Sequence, residues 1–417
     1  MAEKNWNSIN DVDRCGGYTL LLTIVLLLVV SNLIATVWQL VKSEREESFR
    51  RYKRDQSELN VESGINYALN QIKICNRPWR TNGLWHEAVD RDVSYVLKHT
   101  QNGAYGMLQV YSGDSSFVST VRTGFRMLSG PAVCVLDKKA SVSLAKGAVV
   151  QGGIAVYSGD VGYSSHYKMS ADKNTTVDTV FSKLDYPCFD SLIFFPEYSR
   201  NQFRLKFDNE YCSFDARDEI PKNLNCKMVV IQGNAFCEDC RINADDVEIR
   251  GNVSLKNVHI VSRKIDISEK PILGGMFFAQ ESLSVNLENK QREELKLIVQ
   301  GKKRENVDYI GALNVVKLNA EKVLILFVGD EWDDSMENIP VKLSKDVDVS
   351  GLLFSMGTVD LQGKIQGQVV SWNFGFVENG LKWKNMIRSA LIKRDTTIKF
   401  LLPDVIHIAG DVACEKL

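Results

Sequence analysis

Histidine, proline and cysteine are scarce in this 417-residue chain, at 5, 8 and 9 residues. With so few histidines, no Ser-His-Asp order for nucleophilic catalysis can be defended. So little proline, beside 28 glycines, excludes collagen-like and proline-rich polymers. An excess of one charge is also missing: 51 basic and 52 acidic residues leave a net charge of −1. A nucleic-acid footprint usually needs a basic surplus, so no nucleic-acid partner is expected. The phosphate-cradling pattern G-x-x-x-x-G-K-S/T does not occur. Apolar residues are 44% and charged residues 25% of the chain, the balance of a folded protein and not of a disordered one.

One segment departs from that average. From Tyr18 to Val41 there is no charged residue, and Leu20 to Val30 is almost wholly Leu, Val and Ile. As a helix this run is about 36 Å long, enough to cross roughly 30 Å of hydrocarbon. A soluble core helix would not be apolar on every face. A cleaved secretory signal would be shorter and would end in small residues, unlike Trp38, Gln39 and Leu40. The expected partner of residues 18–41 is therefore a lipid bilayer. Lys4 and Arg14 precede the run, whereas Lys42, Arg45, Arg50, Arg51, Lys53 and Arg54 follow it. That asymmetry by itself favours a cytoplasmic C-terminal body. Beyond it, residues 42–75 place Phe49, Tyr52, Leu59, Ile65, Leu69 and Ile72 at steps that suit one face of an amphipathic stalk helix.

The body contains internal repeats. VVIQGNAFCEDCRI at 229–242 recurs 18 residues later as VEIRGNVSLKNVHI at 247–260. One further step puts Ile265 and Ile267 on the Val247 and Ile249 positions. VSGLLFS at 349–355 recurs 16 residues later as IQGQVVS, and VVQGGIAVYS at 149–158 has the same grammar. Each unit is a short alternating strand, a Gly or Gly-Asn corner, and another short strand. Such units cannot bury their apolar faces alone and must stack. The expected fold is mainly β, a right-handed β-helix or β-solenoid body preceded by one long helix, transmembrane and then amphipathic. A sandwich with strands every 8 to 12 residues is the rival architecture.

The expected organisation is a leader-like segment at 1–17, the membrane helix at 18–41, the stalk at 42–75 and a junction module at 76–123. The solenoid follows at 124–382, with excursions at 160–224, 286–309 and 330–337, and a C-terminal cap occupies 383–417. Excursions are the usual place for binding contacts.

Candidate chemistry is thin. Cys237-Glu238-Asp239-Cys240 is a C-x-x-C, with Cys212, Cys226 and His259 nearby in sequence, but the spacing fits no standard zinc site. The 18-residue repeat aligns Cys237 with Leu255 and Cys240 with Val258, so both read as core thiols. In an exported body, Cys212–Cys226 or Cys237–Cys240 are alternative disulfides. Some β-helical polysaccharide enzymes place two or three carboxylates on one groove-facing strand, and Asp245-Asp246 and Asp346/Asp348 are the candidates for this, but paired acids on turns are more often solvated corners. No enzyme activity, cofactor or metal is expected, and no ligand is identifiable.

The stretch Arg14-Cys15-Gly16-Gly17-Tyr18-Thr19-Leu20 resembles the start of a type IV prepilin. In that family a short polar leader ends in Gly and an aromatic-Thr-Leu start opens the mature chain. The resemblance implies cleavage between Gly17 and Tyr18. The family usually has Glu at the fifth mature position, where this chain has Leu22; that Glu is typically missing in the K-type pseudopilin at the filament tip. Val61-Glu62-Ser63-Gly64-Ile65-Asn66-Tyr67-Ala68-Leu69 is similar to a phrase of large minor pilins and K-type pseudopilins. The repeat grammar resembles the polymer-forming β-helix of bactofilins. Both together resemble large pilin-like surface proteins of Bacteroidetes. The resemblance implies a membrane-anchored structural subunit with an exported body, possible partners being other pilin-like subunits. A bactofilin-like scaffold with a cytoplasmic body is the alternative, and an anchored polysaccharide-acting enzyme the second.

Overall fold

The computed structural model describes residues 10–75, 93–99, 106–112, 118–126, 130–166, 169–182, 192–194, 207–215, 218–304, 307–329, 336, 339–397, 401–402, 406–408 and 412–416. The leader's first nine residues, the junction aromatics Trp79 and Trp85, and all of the 330–337 excursion except Met336 lie outside them. Two compact units make up the chain: 1–68 with 83–96 and 109–120, and 69–82 with 97–108 and 121–417.

The first unit is dominated by one helix, Asn10–Cys75. No glycine or proline interrupts residues 18–63, so nothing in the backbone ends it early. The side chains from Tyr18 to Val41 are exposed. The most apolar 18-residue window has a mean hydropathy of 2.7 and none of it is buried, so the helix is long and apolar enough to cross a membrane. The polar half is braced within the helix, as by Arg51 to Glu47 one turn earlier. Val61, Ile65 and Ala68 are buried, and their spacing of four and three puts them on one face.

The second unit is built on parallel strands. Strand Arg241–Ile249 pairs with Asn223–Ile231 on one side and Ser254–Glu269 on the other, both in parallel. Val229, Val247, Ile265 and Leu283 are successive partners, each 18 residues on. Ile231, Ile249, Ile267 and Val285 form the adjacent column. Alternation turns these side chains inward and their neighbours outward. Val349 and Ile365 are partners at the 16-residue offset. The repeats read in the sequence are thus the register of the sheet.

One column runs through the whole stack: Leu224, Ile242, Ile260, Phe277, Leu297, Ile325, Leu353, Val369, Val133, Ile154 and Val180. Every member is apolar, and all but the terminal Val180 are buried. Its order is not the order of the chain. After Val369 the next partner is Val133, 236 positions earlier in sequence. A second column behaves alike: Ala320, Val349, Ile365, Ile392, Val150 and Val177. The first strands of the body therefore continue the stack where its last strands end. Gln368 reinforces this seam by donating from Nε2 to the Pro131 carbonyl at 3.0 Å.

Three segments differ from their sequence-based assignment. Within 286–309, Leu287 and Gln291 are buried and Leu295–Gln300 is a stacked strand. Lys302–Arg304 and Val307–Ile310 pair with each other as an antiparallel hairpin. The mixed charges there hide a strand in which Leu295 through Val299 are all buried. Within 160–224, strands Val161–Tyr163, Thr176–Val177 and Val180–Phe181 join the parallel pairings. Within 383–417, Met386–Arg388 and Leu391–Lys393 pair in parallel with Ser143–Ala145 and Val149–Gln151. The chain then returns to antiparallel pairing, Val412–Lys416 lying along Val121–Phe125.

Candidate functional site

The helix Asn10–Cys75 runs through the expected processing point, so Gly17 and Tyr18 both lie on helical backbone, and Tyr18 is 73% exposed.

The thiols group by strand stacking. Cys237 is the parallel partner of Leu255, as the repeat requires, and both Cys237 and Cys240 are buried. The two are joined across a turn whose Asp239 has a φ of 58°, a left-handed value that Asp tolerates better than most residues. Cys212 and Cys226 form a second disulfide between adjacent strands, with Cα atoms 6.3 Å apart. The His259 amide donates to the Cys240 carbonyl at 2.8 Å. Among the described residues no group of three or more His, Cys, Asp or Glu is placed to hold a metal ion. Opening the 14-residue span between Cys212 and Cys226 frees chain entropy in the unfolded state. Reduction is expected to remove about 3 kcal/mol of stability at this end of the stack. Urea transitions of the full chain with and without dithiothreitol measure it; coincident transitions contradict the bond's contribution.

Two of the four candidate acids, Asp246 and Asp348, are bound up in ladders between repeats. Arg263 reaches Asp246 at 3.2 Å and Glu281 at 3.1 Å. Asp348 faces Lys364 at 3.7 Å. The Asp346 amide donates to Ser344 Oγ at 3.3 Å, a contact within its own turn. Asp245 offers its carbonyl to the Ser262 hydroxyl at 2.7 Å. Other polar contacts follow the same 18-residue step, among them Asn243 to Asn225 and Arg250 to Gln232. The structure thus places these carboxylates on outward positions, and brings each of Asp246 and Asp348 to a cation, not to a second acid.

One cluster had no signal in the sequence. Arg388 lies 3.7 Å above the Phe376 ring, with Glu378 at 3.2 Å and Asp360 at 3.9 Å. Lys146 adds a second cation 3.6 Å from Glu378. Burial pushes the Asp360 carboxyl above its ordinary value, and the Arg388 guanidinium opposes that. Trp383 stacks on Phe376 at 6.1 Å and meets His166 edge-on at 5.3 Å. Two cations and two acids neutralise one another around an aromatic pair, an arrangement that ties Met386–Arg388 to the antiparallel hairpin of Gly375–Glu378 with Leu381–Lys384. A second internal pairing holds Glu294. Burial works against its charge, but the Lys296 and Lys322 ammoniums prevail and hold the carboxyl below its usual range.

No protein-family model, no curated protein and no solved structure matches this chain.

Proposed function

We propose that the chain is a membrane-anchored structural subunit, similar to a minor pilin or pseudopilin, that carries a right-handed β-solenoid head outside the inner membrane. The observation that carries this reading is the uninterrupted helix Asn10–Cys75, exposed and apolar in its first half and charged in its second. A helix of that design inserts one half in lipid or a filament core and leaves the other as a stalk. The solenoid is supported by long apolar columns of parallel partners at offsets of 18 and 16. Export is supported by the two disulfides of the body, which persist in oxidising compartments. A structural role, without catalysis, is supported by acids that face cations across the repeats.

The six basic residues after the apolar run favour a different reading, a cytoplasmic scaffold like the bactofilins. Two measurements on native cells separate the two. Mass spectrometry of the mature protein is expected to find Tyr18 as the N-terminus. A reporter at the exposed Lys173, introduced as Lys173→Cys, is expected to react with a membrane-impermeant maleimide in outer-permeabilised cells. An intact N-terminus, with labelling only after the inner membrane is lysed, sinks the exported-subunit reading and leaves the scaffold.

A further inference from the structure

The apolar helix is not uniform around its axis. Asn32, Thr36, Gln39 and Ser43 fall at steps of four, three and four. At about 100° per residue they stay within roughly 40° of one line along the helix. The hydroxyls are satisfied internally: Thr36 Oγ1 donates to the Asn32 carbonyl at 2.7 Å, and Ser43 Oγ to the Leu40 carbonyl at 2.9 Å. The carboxamides of Asn32 and Gln39 make no hydrogen bond among the described residues, and both side chains are exposed. Asn32 stands 14 residues beyond Tyr18, about 21 Å along the helix and so well inside the hydrocarbon of a spanning segment. An amide there has no water to bind and must find its partner on another helix.

We propose that this stripe is the contact face between two parallel copies of the chain, joined through Asn32 to Asn32 and Gln39 to Gln39. The inference rests on the membrane-anchored reading. The carboxamide is its own complement, with donor and acceptor in one group, so a two-fold axis along the membrane normal satisfies both members of each pair. Asn32 and Gln39 are seven residues apart, the spacing that keeps one seam facing a parallel partner. Between them sit Ala35 and Thr36, small enough for close helix approach. An unrelated helix would need matching polar groups at the same two depths, whereas a second copy has them by identity. The chain itself has one helix of membrane-spanning length among the described residues, so the partner comes from another molecule.

The test uses the full-length chain with either of two fluorescently labelled tags, co-reconstituted in phosphatidylcholine vesicles and diluted with lipid. Energy transfer is expected to report self-association, about tenfold weaker in the double variant Asn32→Leu, Gln39→Leu. The double variant Asn32→Gln, Gln39→Asn, which keeps the carboxamides, is expected to retain association. Unchanged energy transfer in the leucine variant overturns the proposal, as does a monomeric wild type at every dilution. An alkaline carbonate wash of the same vesicles keeps this failure apart from a failure of the anchor. Chain that stays in the pellet has its anchor, and energy transfer alone then judges the contact face. Chain released by the wash removes the anchor reading and the contact face with it.

Discussion

Ile249→Asp is expected to abolish the cooperative unfolding transition of the body near room temperature. Ile249 is 1% exposed and stands in its column between Ile231 and Ile267. The substitution removes a buried aliphatic side chain and puts a carboxylate in its place, with only apolar side chains above and below. Loss of burial and an unpaired buried charge together destabilise by about 5 kcal/mol, comparable with the whole stability of many domains. The neighbouring Glu248 alternates to the outward side of the same strand, and Glu248→Asp is expected to shift stability by less than about 0.5 kcal/mol. Urea unfolding followed by circular dichroism checks both. A wild-type transition midpoint for Ile249→Asp would mean that the 18-residue register is wrong.

Gly367→Ala is expected to be nearly as damaging, for a steric reason. Gly367 has a φ of 151°, and a Cβ built on it would stand 1.8 Å from the Gly351 carbonyl oxygen. Gly351 is its parallel partner, and its own Cβ would stand 1.8 Å from the Val323 carbonyl oxygen. No rotamer relieves a clash between Cβ and backbone, so the ladder must part locally. The expected loss is about 3 kcal/mol or more, from lost ladder hydrogen bonds and disturbed packing. Gly162 provides the contrast: a Cβ there meets nothing within 4 Å, and Gly162→Ala is expected to change stability by less than about 1 kcal/mol. Equal transition midpoints for the two alanine variants would contradict the close approach of the Gly351 and Gly367 backbones.

These two glycines recur in the sequence at the 16-residue offset, and their steric role explains why the repeat keeps them. Ile249 is equally visible there as the partner of Ile231. In both cases a column of like side chains or like absences leaves a periodic trace, because each repeat meets the next under the same constraint. The candidate site was less legible. The acids at 245–246 and 346–348 were found by type, but that Asp246 faces Arg263 and Asp348 faces Lys364 depends on which strands are neighbours. The cluster around Arg388 joins residues 146, 360, 378 and 388, and no motif spans such distances. Gln291 is a similar case. It reads as a surface residue in a charged stretch, yet it is fully buried, accepting from the Leu273 amide at 2.8 Å and donating to the Pro271 carbonyl at 3.0 Å.

The sequence by itself determined the apolar helix, the alternating strands and the local register from 229 to 267, because each follows from side-chain period and from interactions between adjacent repeats. Only the tertiary structure decided where the stack continues beyond Val369. Val133 takes that position, although of Val133–Val135 only Val133 matches its partner in identity. The physical reason is that a parallel ladder is joined through backbone amides and carbonyls, which are alike in every strand. Any strand with apolar residues in the right phase can extend the column. Gln368 and Asn373 reach across to Pro131 and Asp137 and hold Val133–Val135 at that place.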